Sequence, residues 1–190
     1  MTQGAPRIGQ TFQTPDLCVA LPARWYALHT RSRYEKVVDR QLSQKGWETF
    51  LPLATVRSPV SLRRFREAQI PLFPGYTFVR FACSAEDYYQ VRATTGVAHM
   101  VGSPSGPVSI PDIEIESLKK ILAKDIGYSL SPCFTAGRQV IVTRGPLQGV
   151  QGEIVRRKGR EVFTVKVHLI RRMLEIDFSS LDLELLPTLG

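Results

Sequence analysis

The sequence predicts an α+β protein in two parts, a helix-bearing sheet domain followed by a small all-strand domain. Three observations carry this reading. Between Arg24 and Leu122, short aromatic and β-branched runs alternate with stretches of helical periodicity; after Gly137 only short strands and turns remain; and residues 123–136 between them, with Gly127, Ser129, Ser131 and Pro132, show no periodicity. The expected organisation is a flexible leader over 1–23, a first domain over 24–122, a linker over 123–136 and a second domain over 137–187. A chain of 190 residues suffices for one or two small domains.

The first domain opens with Trp25 to Thr30, an apolar run suited to a buried strand. Ser32 and Glu35 have the spacing of a capping box, so a helix is expected there, with Tyr34, Val37, Val38 and Leu42 on one face and Gly46 as its stop. Trp47 to Leu53 is extended again. From Ala54 to Gln69 the chain turns polar and basic, with Arg57, Arg63, Arg64 and Arg66 around Pro59, as in an exposed hairpin or loop. Pro71 to Gly75 punctuates the entry into Tyr76 to Phe81, a strand by its aromatic and β-branched content. Ser84 to Asp87 can cap a second helix running to about Thr94, with Gly96 as its stop, and Val97 to Val101 is another strand. Strand, helix, strand, strand, helix, strand is the split β-α-β or ferredoxin-like order.

A third helix is expected over Ile110 to Leu122. Pro111 suits its first position, while Asp112, Glu114 and Glu116 face the positive end of the helix dipole and Lys119 and Lys120 the other. Dipole complementarity accounts for the three acids without a catalytic role. In the second domain the expected strands are Gln139 to Thr143, Val150 to Arg156, Val162 to His168, Met173 to Asp177 and Leu183 to Leu186. Short strands at this density suggest a small closed barrel of the SH3-like kind.

Composition narrows the function. Twenty-five Lys and Arg against seventeen Asp and Glu give a net charge of +8, which points to a polyanionic partner. Cys18, Cys83 and Cys133 are scattered, so neither a disulfide framework nor a zinc site is expected, and a reducing cytoplasm fits. His29, His99 and His168 are equally dispersed and read as packed or surface residues. No apolar run is long enough for a membrane span. The nucleophile-elbow, phosphate-loop, zinc-protease and dinucleotide motifs are absent from the sequence, so no enzymatic activity and no cofactor are expected.

Two motifs make the reading specific. Trp25-Tyr26-Ala27-Leu28-His29-Thr30 with the helix after it, Leu72-Phe73-Pro74-Gly75-Tyr76-Thr77-Phe78-Val79, and Thr95 to Val101 resemble the NGN domain of the NusG family of transcription elongation factors. Val140-Ile141-Val142 through Gly145-Pro146, Gly149 and Gly152-Glu153-Ile154-Val155 resembles a KOW motif. On this resemblance the fold is a ferredoxin-like, RNP-like NGN domain followed by an SH3-like KOW barrel. Thr30-Arg31-Ser32-Arg33 and Phe50-Leu51-Pro52-Leu53 are more similar to the specialised paralogs, the RfaH-like and polysaccharide-operon antiterminators, than to housekeeping NusG.

The resemblance implies a factor that binds the clamp helices of the largest catalytic subunit of RNA polymerase and modulates pausing or termination. Phe73, Pro74, Tyr76 and Phe78 occupy the positions of the apolar docking depression, and aromatic side chains suit it because each covers a large area with few rotatable bonds. Asp87, Tyr88 and Tyr89 match the element that meets the far side of the polymerase cleft, so Tyr88 and Tyr89 are candidates for that contact with a different chemistry. Arg31, Arg33 and Arg40 lie where relatives meet upstream or non-template DNA. Arg156, Arg157, Lys158 and Arg160 form a basic hairpin tip that serves either RNA contact or protection of a strand edge. A ribosomal protein or Rho is the partner class implied for the KOW domain, and a monomer is expected. The alternative is a KOW-type ribosome-associated or free RNA-binding protein, which also explains the charge but leaves the Phe73 to Phe78 segment unexplained.

Overall fold

The run Arg24–Thr30 forms the central strand, β1, of a computed structural model that describes residues 22–61, 64–124, 126–132, 137–157, 159–177 and 185–187. The expected leader thus lies outside the described residues except for Pro22 and Ala23. β1 alternates cleanly: Trp25 and Ala27 are buried in one core, Tyr26 and Leu28 in another. It is followed by α1 (Glu35–Gln44), β2 (Glu48–Phe50), the paired strands β3 (Leu53–Ser61) and β4 (Arg64–Pro71), then β5 (Tyr76–Phe81), α2 (Ala85–Arg92) and β6 (Val97–Met100). The sheet order is β2-β5-β1-β6, all antiparallel, while among the described residues β3 and β4 pair only with each other as a separate ribbon.

A small hairpin, β7 (Gly102–Ser103) with β8 (Gly106–Pro107), leads to β9 (Ser109–Ile110), which also pairs with β1. Next comes α3 (Asp112–Leu122). The helix ends obey local chemistry in part. Ser84 caps α2 by accepting a 3.0 Å hydrogen bond from the Asp87 N–H, as the spacing predicts. Pro111 stands at the N-cap of α3, one position before the expected first turn. At α1 the capping box does not form. The N-cap is Tyr34 without a side-chain cap, and Glu35 is 6% exposed and directed elsewhere. Val38 and Leu42 are buried as the periodicity predicts, whereas Tyr34 and Val37 lie at the rim of that face.

The two faces of the sheet have different covers. Val38 and Leu42 of α1 and Val91 of α2 close the face that carries Tyr26, Leu28, Val79 and Phe81. Trp25, Ala27 and Phe78 point the other way, into a cluster completed by Leu72, Phe73, Ile110 and the α3 residues Ile115, Leu118 and Ile121. Burial of this many aliphatic and aromatic side chains is the main stabilising term, at about 1.5–3 kcal/mol for each large one.

The C-terminal part is one antiparallel sheet of six strands, ordered β10-β14-β13-β12-β11-β15. These are β10 (Ser129–Pro132), β11 (Arg138–Val142), β12 (Gln151–Arg157), β13 (Arg160–Val167), β14 (Arg172–Asp177) and β15 (Leu185–Pro187). The five strands expected after Gly137 are present with ends shifted by a few residues. β10 falls inside the expected linker, where Ser129 to Pro132 pair with Arg172 to Glu175 of β14. The two parts are in contact: α3 packs against β12 and β13, and its Ile115, Leu118 and Ile121 share a cluster with Val140, Leu147, Val150 and Phe163.

Candidate functional site

The Leu72 to Tyr76 segment is held from three directions. The Leu72 N–H donates to the Pro52 carbonyl at 2.8 Å, the Thr30 N–H donates to the Gly75 carbonyl at 2.8 Å, and the Gly75 N–H donates to Oε1 of buried Glu35 at 2.8 Å. Gly75 has φ +83°, a left-handed backbone that glycine adopts without a Cβ penalty. The turn is therefore pinned between the end of β1 and the start of α1, and it launches β5 in a defined register with β1.

That register decides which aromatics reach the surface. Phe73 is 1% and Phe78 0% exposed, with ring centroids 6.3 Å apart at an interplanar angle of 89°. The reading of both as docking residues is corrected accordingly: the alternation that sends Val79 and Phe81 to one core sends Phe78 to the other, and Ile115, Leu118 and Ile121 cover that face. Phe73 and Phe78 are buried supports. Pro74 is exposed and Tyr76 half-buried, so these two of the four remain accessible.

Around Tyr76 the structure gathers residues not assigned from sequence. The His29 ring meets the Tyr76 ring edge-on at 5.2 Å and stacks on the His99 ring at 4.9 Å. Phe50, Ala54 and Val101 lie partly buried against the same core. The signal for His29 was available in the alternation, since Trp25, Ala27 and His29 share a face. His99 follows only from the pairing of β6 with β1, opposite His29.

Tyr88 and Tyr89 sit on α2, on the opposite side of the sheet. Their rings are 5.8 Å apart, and the Arg92 guanidinium lies 5.7 Å from the Tyr88 centroid. Tyr88 packs partly against the α1–α2 core, while Tyr89 is 53% exposed. The two candidate patches therefore face away from each other.

The basic residues fall into separate groups. Arg31 and Arg33 are exposed in the turn from β1 to α1, where the Arg31 N–H donates to the Gly96 carbonyl at 2.8 Å and Arg33 has φ 66°. Arg40 is exposed on α1 and lines a groove with Lys36, Asp39, Gln44, Leu53 and Gln69 between α1 and the β3–β4 ribbon. Arg156 and Arg160 are exposed near the β12–β13 turn, and Lys158 lies outside the described residues. Arg157 is committed within the fold: it donates to Ser131 Oγ at 2.7 Å and pairs with Glu175 at 2.8 Å, which fastens β10 to the rest of its sheet.

The α3 acids all have partners. Asp112 pairs with Arg80 at 3.3 Å, Glu116 pairs with Lys119 at 3.0 Å, and Glu114 accepts from the His168 N–H at 3.2 Å and meets its Nδ1 at 2.8 Å. Glu114 thereby ties α3 to the C-terminal sheet, next to the buried Lys166–Glu153 ion pair.

These features define a mixed α/β protein with three α-helices and several sheets among the described residues, whose first part presents an aromatic face beside the basic β1–α1 turn. A family profile described as NusG, transcription termination factor, matches residues 23–119, just over half of the 190-residue chain. The chain belongs to the NusG family of transcription termination and antitermination proteins. It is 29% identical over 144 residues to the transcription termination/antitermination protein NusG of Staphylococcus aureus strain N315, covering 69% of this chain and 78% of that protein. The same figures hold for the protein of that name from Staphylococcus carnosus strain TM300. Among solved structures, one reported as domain interaction in Thermotoga maritima NusG covers 84% of this chain and 96% of its own, at 23% identity and a TM-score of 0.49.

Proposed function

We propose that the chain is a non-enzymatic transcription elongation factor that docks on the clamp helices of the largest RNA polymerase subunit through the face centred on Tyr76. The observation that carries this reading is the division of labour in the Phe73 to Phe78 segment. Two fully buried phenylalanines anchor the strand, and Pro74 and Tyr76 are left accessible, with Tyr76 against His29. A rigid aromatic ring on a fixed strand loses little entropy on binding and makes an effective interface anchor.

Tyr89, on the far side of the sheet, supplies a second polymerase contact, so the domain bridges two walls of the cleft. Arg31, Arg33 and Arg40 hold upstream or non-template DNA through phosphate contacts. The first part is a ferredoxin-like NGN domain. The six-stranded C-terminal sheet acts as an SH3-like KOW barrel that recruits a further partner, a ribosomal protein or Rho, at high effective concentration; its Arg156, Lys158 and Arg160 are the RNA-facing candidates, with Arg157 holding β10 in place. Binding the closed, processive polymerase more tightly than the paused one shifts the population between them without bond chemistry, as expected of a specialised, RfaH-like antiterminator acting as a monomer in the cytoplasm.

The experiment is a titration of labelled chain against purified core RNA polymerase. Tyr76→Ala should weaken binding by at least about tenfold, equivalent to about 1.4 kcal/mol. Unchanged affinity in a folded variant rejects the Tyr76 face as the dock.

A further inference from the structure

We infer that one face of the β3–β4 ribbon is a second wall of the polymerase-docking surface, contacted by the same helical element that lies on Tyr76. The inference rests on the docking reading above and adds a site to it.

The ribbon is amphipathic by register. Ala54 pairs with Ile70 and Val56 with Ala68, and directly opposed residues of antiparallel strands share a face, so these four apolar side chains form one strip. Leu53, Thr55 and Gln69 belong to the other face. Leu53 and Gln69 line the groove on the α1 side with Lys36 and Arg40, which fixes the direction of that face. The apolar strip points the opposite way, and Ala54 at its root packs against the same core as Phe50 and Tyr76. The root of the strip and Tyr76 thus border the same core.

Two further observations select the occupant. Val56 is 38% and Ile70 47% exposed, and the ribbon pairs with no other strand among the described residues, an arrangement of marginal stability by itself. Ala54, Val56, Ala68 and Ile70 carry no charge, and the first charge on their face is Arg66, one pair further out opposite Ser58, whereas the groove on the reverse face has Lys36 and Arg40 beside Asp39. A phosphodiester backbone matches the reverse face; the strip matches an apolar protein surface. With the sheet face as floor and the ribbon as wall, the surface suits a helix, about 10–12 Å across with its side chains, that presents apolar residues every third or fourth position.

The test uses the full chain and core RNA polymerase, with the Tyr76→Ala variant in parallel. Val56→Ser with Ile70→Ser removes the strip without touching a buried residue, and Ala68→Arg obstructs it by bulk and charge. Both should weaken binding about tenfold, while Thr55→Ala on the reverse face should leave it unchanged. If Tyr76→Ala weakens binding and neither ribbon variant does, the wall is rejected while the Tyr76 dock stands. If none of the variants changes binding, both fail. If the ribbon variants weaken binding only when DNA and RNA are present, the strip faces nucleic acid and the proposed occupant is wrong.

Discussion

The carboxylate of Glu35 accepts a 2.8 Å hydrogen bond from the Gly75 N–H, joining the first turn of α1 to the Phe73–Tyr76 turn forty residues away. A buried acceptor on a helix thereby sets where β5 begins. Glu35→Ala should cost about 1–3 kcal/mol in urea unfolding, because it removes a charge-assisted bond and leaves the Gly75 N–H without its partner. Glu35→Gln keeps an acceptor oxygen and should lose clearly less. Equal stability of Glu35→Ala and the parent would remove this tie from the account.

Gly96 offers a second test of backbone geometry. It has φ +97°, and a Cβ there would lie 2.5 Å from Cδ1 of Tyr34. Gly96→Ala should therefore cost about 2 kcal/mol or more, combining left-handed strain with overlap against a ring. In Gly96→Ala/Tyr34→Ala the overlap disappears and the strain stays, so calorimetry should show a smaller loss of Tm from Gly96→Ala in the Tyr34→Ala background than in the parent.

Burial separates Phe78 from its neighbour two positions earlier. Phe78 is fully enclosed, so Phe78→Ala should lower unfolding stability by about 3–5 kcal/mol. Tyr76→Ala should change stability far less and polymerase affinity far more. Denaturant titration beside the binding titration reads both quantities, and the opposite ranking would contradict the assignment of support and contact.

Arg31 and Arg33 are exposed in the β1–α1 turn, where they can meet phosphate. Replacing both by Ala should reduce the slope of log affinity against log salt by about 0.7–0.9 per lost phosphate contact when an elongation complex is titrated. With polymerase free of nucleic acid, the variant and parent slopes should coincide. Identical slopes in the elongation complex would place these residues away from DNA and RNA.

Elements that depend on neighbouring residues were readable from sequence. The Ser84 cap, the helix stop at Gly46 with φ +93°, and the alternation along β1 and β5 are local chemistry expressed in a local pattern, whereas α2 ends at Arg92, before the expected stop at Gly96. Partners distant in the chain were not. The spacing of Ser32 and Glu35 suits a capping box, yet nothing near them reveals that Gly75 offers a better donor for the same carboxylate. Period-two spacing places Phe78 with Tyr76, but only the position of α3 shows that Phe78 is covered and Tyr76 is not. The ribbon's apolar face was hidden for a related reason: Val56 and Ile70 are isolated apolar residues in a polar, basic stretch until pairing brings them together.

Site-specific photocrosslinking reads what lies on Tyr76. A photoreactive phenylalanine analogue placed at residue 76 should crosslink to the largest RNA polymerase subunit, with the adduct mapping to its clamp helices. Efficient crosslinking to another polymerase region, or none above that of the same analogue at an exposed position such as Lys124, would contradict the account.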